Sequence, residues 1–368
     1  MTRAPFDAGN ERFRAGVRRF VSEQLATRAE RWERDGRFPR AALSGCGRRG
    51  YLALDAPRTA VLAEELARCE SMGVALTILV QAALVAPLLV RLGTGDQQKR
   101  YLAPLHAGRR IGAMAVTEPD AGSDLAALSS RAVEAGASFI LNGEKTYITN
   151  AAAADFLIVA ARVGTEPHAG SSLLLVPTDA AGVQVHRVPS LGLKTTAMGR
   201  VTLRRCRLPR TALLGEAGAG YGYVQDALNR ERLFGGIGAV AWAAYAVEKT
   251  MAYLRTRRAF GRTISRFQAV RHQLADLATG LEAARQLNYG TFVRWQRGED
   301  VMKEIAMIKL FSFRQAQSAI ETCLQLHGGL GYRDDFWISR WYRDARALTI
   351  AAGTPEVMRD LIAACLRL

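Results

Sequence analysis

The sequence predicts a mostly α-helical protein of the α+β class, with a small antiparallel β domain between two helical domains. Three observations predict this: helical periodicity at both ends, short β-forming runs in the middle, and a length of 368 residues, enough to bury two or three packed units. We place the N-terminal all-α domain at 1–110, the middle β domain at 111–212 and the C-terminal helical bundle domain at 213–368.

Near the start of the chain, apolar residues recur at the spacing of an amphipathic helix with one buried stripe. They are Phe13, Val17, Phe20 and Leu25. The later segment Val74–Leu92 is apolar enough to be checked as a membrane span. Because Thr77, Gln81 and Pro87 interrupt it, we expect a buried helix of a bundle and no contact with a membrane.

The middle of the chain consists of short runs rich in β-forming residues, separated by Gly, Pro and Asn. These runs are Arg131–Ala135, Phe139–Leu141, Thr146–Thr149, Phe156–Ala161, Leu173–Val176, Val183–Val188 and Val201–Arg207. Strands at this spacing predict a compact antiparallel sandwich or barrel. A glycine-rich joint, Gly215–Gly222, then leads into the C-terminal part.

Two long amphipathic helices are predicted after that joint, because apolar residues keep a rhythm of three or four. The first stripe is Ile237, Val240, Ala244, Val247, Met251 and Leu254, and the second is Val270, Leu274, Leu277, Leu281 and Ala284.

The chain carries 50 basic and 34 acidic residues, a net charge of +16, and only six of the basic residues are lysines. Such a field favours anionic partners: nucleotide phosphates, an acidic carrier protein or nucleic acid. An arginine-rich composition without a partner is the alternative, and the lack of a basic run with interleaved aromatics makes nucleic acid the weakest of the three. The scattered cysteines predict no disulfide and no metal site, and with the polar start of the chain they predict a cytoplasmic protein.

Six motifs follow one another along the chain: "TEPDAGSD" from Thr117, "LNGEKTYITN" from Leu141, "ERLFGG" from Glu231, "RRAFGRTISRFQ" from Arg257, "QLHGGLGY" from Gln325 and "RDARALTIAAGTPEVMR" from Arg343. Their order and spacing resemble the acyl-CoA dehydrogenase family, from about Phe13 to the end of the chain. The resemblance implies an N-terminal helical domain, a middle β-barrel-like domain and a C-terminal four-helix bundle. It also implies a flavoprotein oxidoreductase that uses FAD, acts on CH–CH bonds and forms a homodimer or homotetramer.

The resemblance assigns roles to single residues of these motifs. It implies FAD contacts for Thr117, Tyr147, Thr149, Arg257, Phe260, Gln268, Gln325, Gly328, Gly329 and Thr354. Among these, Arg257, Phe260 and Gln268 would hold FAD across a subunit interface. Tyr147 stands where the family usually has a tryptophan beside the flavin ring, and Ser123 stands where the family touches the pantetheine side of the substrate.

The catalytic base departs from the usual family pattern. The family normally has a glutamate directly before the Gly-Thr of the last motif, where this sequence has Ala352. A methyl group cannot take the α-proton, but the backbone N–H of residue 352 can still help to hold the thioester carbonyl. A minority of the family takes the base from an "ER" pair at the start of a long helix, and Glu231 and Arg232 match that pair. We therefore expect Glu231 as the base and Arg232 beside the substrate; the alternative is that Glu231 only pairs with an arginine.

Two further departures bear on the substrate and its carrier. Where many relatives have an acidic pair, this chain is basic, and more basic residues follow: Arg204, Arg205, Arg207, Arg210, Arg230 and Arg232. A basic rim could dock an acidic acyl carrier protein in place of CoA, or it could be a solvated surface without a partner. Because Ala351 and Ala352 remove bulk near the reacting carbons, a branched, cyclic or otherwise unusual acyl group in a biosynthetic pathway is the expected substrate.

Three functions stay open at this point. The first is α,β-dehydrogenation of an acyl thioester, with an electron-transfer flavoprotein or oxygen as the electron acceptor. The second is a flavin monooxygenase of the same fold, which does not need the usual glutamate. The third is a non-catalytic binding protein derived from the family. The presence of Glu231 and of the loop that begins at Thr117 favours the first.

Overall fold

The computed structural model describes residues 6–163 and 170–368. Its N-terminal part is helical, and α1 (Ala8–Phe20) continues through a π-helical stretch, Val21–Ala26, into α2 (Thr27–Asp35). The helices that follow are α3 (Arg40–Arg48), α4 (Ala56–Glu65), α5 (Met72–Val80), α6 (Ala86–Leu92), α7 (Gly95–Gln97) and α8 (Ala103–His106). Asp7 and Asp55 begin α1 and α4 as N-caps, each accepting a hydrogen bond from a backbone amide of the first turn.

The apolar segment predicted as a buried helix is confirmed as one. Met72–Leu92 is long and apolar enough to cross a membrane, yet 83% of its most apolar window is buried inside the described protein. Its polar residues have partners in the β part: Gln81 exchanges two hydrogen bonds of 2.9 Å with the backbone of Gly112, and Thr77 donates to Asn150 at 3.1 Å. The polar residues of this helix therefore attach the helical part of the protein to the β part.

In the described residues, the middle part is one sheet of eight strands. The strands are β1 (Gly112–Ala115), β2 (Arg131–Ala135), β3 (Ser138–Ile148), β4 (Phe156–Val163), β5 (Ser171–Pro177), β6 (Val183–Arg187), β7 (Gly199–Pro209) and β8 (Leu213–Leu214). Their order is β6-β7-β3-β2-β4-β5-β8, and β1 pairs in parallel with β4. Within the described residues β6 and β8 do not pair with each other, so the barrel-like sheet does not close.

Two of the predicted strand runs are joined into one long strand. The sequence indicates a break at Asn142-Gly143, but β3 runs through this point with a bulge against β7. Glycine is required there by space: a Cβ on Gly143 would lie 2.1 Å from the Ser130 hydroxyl oxygen. A glycine that permits close packing inside a strand has the same sequence signature as a glycine in a turn, which is why the pattern indicated a break.

The C-terminal part holds the long helices α9 (Gly220–Thr256), α10 (Gln268–Gln296) and α11 (Met302–His327), followed by α12 (Trp337–Leu348) and α13 (Pro355–Cys365). A small hairpin, β9 (Arg258–Ala259) with β10 (Arg262–Thr263), connects α9 to α10. Helix α11 packs against α9, α10, α12 and α13. The predicted four-helix bundle is confirmed, with α13 added on the outside of α11.

A buried junction joins the three parts of the chain. Asp344 of α12 accepts a hydrogen bond from Leu193 N at 2.6 Å, and Thr195 donates to Glu33 of α2 at 3.2 Å. Burial and the neighbouring Glu33 carboxylate raise the pKa of Asp344 to about 7. The loop before β7 is thus held between the first helices and the last ones, which fixes the sheet relative to both.

Candidate active site

The loop Thr117–Asp124 is attached to the sheet by a buried ion pair. The Glu118 carboxylate accepts from Lys145 Nζ at 2.7 Å and from the backbone amides of Ser129 and Ser130 at 2.6 and 3.0 Å. Burial would raise the pKa of Glu118, but the Lys145 ammonium and these hydrogen bonds lower it to about 2. Glu118 of the "TEPDAGSD" motif is therefore a structural anchor, which leaves the hydroxyl-bearing residues of the motif available to a ligand.

Thr117 and Tyr147 lie side by side because of this anchor. Thr146 N donates to Thr117 O at 2.9 Å, and Tyr147 follows at a second bulge of β3, where the register against β7 shifts. Tyr147 has a φ of 57°, and its side chain is 65% exposed. A left-handed backbone costs a non-glycine residue about 1–3 kcal/mol and is concentrated at functional sites. Thr149 is half-buried two residues further on, and Ser123 is exposed in the loop.

The second group of predicted residues surrounds the β9–β10 hairpin. Arg257, Phe260 and Gln268 are all exposed, and Phe260 is 94% exposed with a φ of 49°. Within the described protein the Phe260 ring contacts Phe267 edge-on, with ring centroids 6.2 Å apart. A large apolar side chain held this far into solvent by a strained backbone fits a surface that is covered by something else.

The glycine turn after α11 lies at the same end of the bundle as this hairpin. Tyr253, whose carbonyl accepts from Arg257 N, stacks on His327 with ring centroids 4.6 Å apart. His327 is followed directly by Gly328 and Gly329, and neither glycine would bring an added Cβ within 4 Å of another atom. Gln325 is exposed one turn earlier. The open backbone of this turn can approach a phosphate or ribityl chain closely.

The third group contains the predicted base. Arg232, buried on α9, donates from Nε to Ala352 O at 2.8 Å and from Nη1 to Asn229 Oδ1 at 2.9 Å. The turn that bears Ala352 is thereby tied to the helical turn that bears Glu231. Ala352 has a φ of 56°, and its N–H forms no hydrogen bond within residues 6–163 and 170–368. Thr354, two residues later, is the N-cap of α13.

The charges of two cations, Arg232 and Lys309, act on Glu231. It is half-buried, and burial raises the pKa of its carboxyl group, while the charges of Arg232 and Lys309 act in the opposite direction. Lys309 is buried on α11 and donates from Nζ to Leu348 O at 2.5 Å. Burial lowers the pKa of Lys309 to about 8, so that it still carries most of its charge at neutral pH. The Glu231 carboxyl group is thus more basic than that of a free glutamate.

Replacing Lys309 with methionine is expected to move the acid limb of the activity profile to higher pH. The loss of one cation removes a contribution that lowers the pKa of Glu231, and a base works only when ionised. The profile of kcat/KM against pH checks this. Lys303→Met, at the exposed start of the same helix, is the control. An unshifted limb in Lys309→Met, with the rate alone reduced, would show that Lys309 does not act on the base.

The described contacts collect the predicted residues into three groups and no more. The first group lies at the end of β3 and in the loop beside it, and consists of Thr117, Ser123, Tyr147 and Thr149. The second lies where α9 meets the turn before α13, and consists of Glu231, Arg232, Ala352 and Thr354. The third lies at the far end of the bundle, and consists of Arg257, Phe260, Gln268, Gln325, Gly328 and Gly329. No described hydrogen bond joins one group to another. Within the described residues, no group of three or more His, Cys, Asp or Glu side chains could hold a metal ion.

Two residues of the third group escaped the sequence analysis. Asn229 carries no signal of its own, since an asparagine before an "RER" run is also typical of a helix surface. Lys309 did carry one: it is one of only six lysines and stands in the apolar run "AMIKLFSF". A lone lysine on a buried face requires a partner, and that partner is the backbone carbonyl of Leu348, while the charge of Glu231 also acts on the lysine.

Comparison with known proteins agrees with this architecture. Three family descriptions match successive parts of the chain: "Acyl-CoA dehydrogenase, N-terminal domain" over residues 8–109, the "middle domain" over 113–206 and the "C-terminal domain" over 218–366. A curated relative, the long-chain specific acyl-CoA dehydrogenase, mitochondrial, of Rattus norvegicus, is 32% identical over 373 residues, which cover 97% of this chain and 86% of the relative.

Solved structures resemble the whole chain. The crystal structure of an acyl-CoA dehydrogenase from Geobacillus kaustophilus has a TM-score of 0.93 and 32% identity, and the match covers 99% of this chain and 100% of that chain. A glutaryl-CoA dehydrogenase from Mycobacterium smegmatis in complex with FADH2 has a TM-score of 0.90 and 26% identity, over 98% of this chain and 95% of that chain.

Proposed function

The chain belongs to the acyl-CoA dehydrogenase family, whose members are FAD-dependent oxidoreductases acting on CH–CH bonds, and we propose that it takes the α-proton of an acyl thioester with Glu231 in place of the usual glutamate. The observation that carries the proposal is the 2.8 Å bond from Arg232 to Ala352 O. This bond holds the start of the "ER" helix against the turn where the usual base would stand, so a carboxylate at 231 can serve the same reacting carbon.

The residues around this carboxylate suit a proton acceptor. Burial makes Glu231 more basic, and the charges of Arg232 and Lys309 oppose this shift by favouring the ionised form, which is the form that accepts a proton. The free N–H of Ala352 is available to the thioester oxygen, whose negative charge grows as the α-proton leaves. Arg232 fixes that N–H indirectly, because it holds the carbonyl of the same residue. Arg232 is therefore a positioning residue in this proposal.

When bound, FAD supplies the acceptor for the hydride that leaves the β-carbon. The chain's residues fit this group: Tyr147 offers an exposed aromatic face beside Thr117 and Thr149, and the glycine turn at 328–329 offers an open backbone. The hairpin residues Arg257, Phe260 and Gln268 are proposed to contact FAD held mainly by a second copy. Their exposure at the end of the bundle far from the sheet supports a homodimer or a dimer of dimers.

An acyl carrier protein is the proposed carrier of the substrate, in a biosynthetic pathway within the cytoplasm. Arg204, Arg205 and Arg207 of β7 are exposed, and no carboxylate within the described residues pairs with them. Arg210 is paired with Glu134, whereas Arg230 and Arg232 point into the protein and do not belong to a surface rim. The basic surface is thus smaller than the sequence indicated. The described cysteines are all free thiols, which supports a reducing compartment.

Replacing Arg204, Arg205 and Arg207 together with serine is expected to raise KM for a carrier-bound thioester and leave KM for the CoA thioester unchanged. Exposed charges steer association, so the effect should fade as salt rises. Steady-state kinetics with both carriers at two ionic strengths measure it. The triple variant Arg12, Arg19 and Arg28 to serine, on the first two helices, is the matched control. If KM for the carrier-bound thioester is the same in both triple variants, Arg204, Arg205 and Arg207 do not form a docking surface for the carrier.

Anaerobic mixing with a panel of acyl-CoA and acyl-carrier thioesters tests the proposed function itself. Bleaching of the flavin band by one thioester, followed by recovery on adding an electron-transfer flavoprotein, is the expected result. Oxygen consumption by separately reduced enzyme, without bleaching by any thioester, would instead support the monooxygenase. If neither reaction occurs, the remaining interpretation is a non-catalytic binding protein.

A further inference from the structure

A groove of about 720 Å³ is lined by Asn229 and Arg230, which directly precede the proposed base in α9. Its walls come from α6 and the π-helical stretch before it, from the start of α9, and from the loop between α10 and α11. Apolar and polar residues share the wall, and Leu84, Leu88, Ala227 and Ile305 are among the apolar ones. Asn229 also accepts the bond from the Arg232 that holds the Ala352 turn. The groove and the reacting centre are therefore direct neighbours.

Three of the charged residues that line the groove, Arg91, Asp226 and Glu299, are already paired. Arg91 bonds Asp226 at 2.9 Å, and Glu299 bonds Arg294 at 2.8 Å. Asp300 is exposed at the loop and accepts from Met302 N at 3.1 Å. Arg230 differs from these, because no carboxylate within residues 6–163 and 170–368 lies within 4.0 Å of its guanidinium.

The Arg230 guanidinium is held in place at one edge only. Its Nε donates to Ala83 O at 2.9 Å, and its plane lies near the rings of Phe234 and Trp295, at 4.8 and 5.4 Å from their centroids. The two Nη groups donate to nothing in the described protein. Burial lowers the pKa of Arg230 to about 10, so it stays charged at neutral pH. A desolvated cation with a free bidentate edge, fixed against aromatic rings, is suited to an oxyanion.

We propose that Arg230 binds an oxyanion of the substrate in this groove, and that the oxyanion is a carboxylate at the far end of an apolar acyl chain. The apolar residues of the wall contact the methylene groups, and the two Nη groups of the guanidinium donate hydrogen bonds to the two carboxylate oxygens. The inference rests on the proposed function, since it assigns a substrate class to the same site. A phosphate of the CoA or phosphopantetheine arm offers the same chemistry to Arg230, and the test separates the two sources.

The test is a pair of kcat/KM ratios measured for wild type and Arg230→Met, both purified with FAD. The first ratio compares an ω-carboxyacyl-CoA with the unsubstituted acyl-CoA of equal chain length. The second compares an acyl-CoA with the N-acetylcysteamine thioester of the same acyl group. The exposed Arg314→Met of α11 is the control, and flavin content with the melting temperature checks that each variant folds.

A fall of the first ratio by about 10–100-fold in Arg230→Met supports the carboxylate, since a charge-assisted hydrogen-bonded pair is lost. A fall confined to the second ratio supports a phosphate as the oxyanion and overturns the carboxylate assignment. Both ratios unchanged, in enzyme that still reduces its flavin with an acyl-CoA, would overturn the inference and leave the proposed function standing. If none of these thioesters reduces the flavin of the wild-type enzyme, both the oxyanion site and the proposed function are overturned.

Discussion

Changing Glu231 to glutamine is expected to lower kcat by about 10²–10⁴-fold, the range that general-base catalysis supplies. Glutamine keeps the size of the side chain but cannot accept the α-proton, and no second carboxylate stands at position 352 to replace it. FAD content should stay at the wild-type level, because Glu231 is not one of the residues proposed to hold FAD. Turnover with an artificial electron acceptor and the flavin-to-protein ratio measure the two effects.

Glu248→Gln is the matched control for this variant, since Glu248 lies on the same helix with its side chain 61% exposed and pairs with Arg68 on the surface. Its kcat should match that of wild type. A Glu231→Gln enzyme that keeps a kcat within twofold of wild type would show that the base stands elsewhere and that Glu231 only pairs with its neighbouring cations.

Changing Lys145 to methionine is expected to lower the free energy of unfolding by about 3–5 kcal/mol, the usual effect of leaving one partner of a buried ion pair alone. Both side chains are almost fully buried, and Glu118 would lose the ammonium that keeps its carboxylate ionised. The loop that presents Thr117 should loosen with it, so FAD content is expected to fall as well. Urea unfolding at pH 7 measures the first effect, and flavin absorbance measures the second.

The pair can be distinguished from simple packing by a second variant and by pH. Lys145→Met with Glu118→Leu removes both charges and should recover much of the lost stability. Because the pKa of folded Glu118 lies near 2, below its usual value, the stability from its charge is present above about pH 4.5 and is lost as pH falls toward 2. A double variant no more stable than Lys145→Met at pH 7 would contradict this account of the pair.

The architecture was predictable because it rests on long patterns. Apolar stripes of several turns predict α9 and α10. The polar residues in the apolar segment, Gln81 among them, predict a helix buried in the protein, because a membrane span would leave them without partners. The strand boundaries were less predictable, and β3 shows why: Gly143 is compatible with a turn or with a strand that packs closely against Ser130. Only the tertiary neighbour, Ser130, decides between a turn and a strand.

The site was predictable where a motif carries it and not where packing creates it. The sequence shows that Ala352 stands in place of the usual glutamate and that Glu231 could replace it. The hydrogen bond from Arg232 to Ala352 O, which holds the two positions together, joins residues 120 positions apart. The bulge that gives Tyr147 a φ of 57° depends on the register against β7. Lys309 acts on Glu231 only because α11 packs on α9. Each of these depends on tertiary contact, which local patterns do not contain.

The central claim is that Glu231 removes the α-proton, and exchange of that proton with solvent tests it most directly. Holoenzyme and a reactive acyl thioester are incubated without oxygen in D₂O, and deuterium at the α-carbon of the recovered thioester is followed by mass spectrometry. Wild-type enzyme is expected to incorporate deuterium, and Glu231→Gln with full FAD content is expected to show none above the uncatalysed rate. Incorporation by Glu231→Gln at the wild-type rate would contradict the claim, since another group would then be the base.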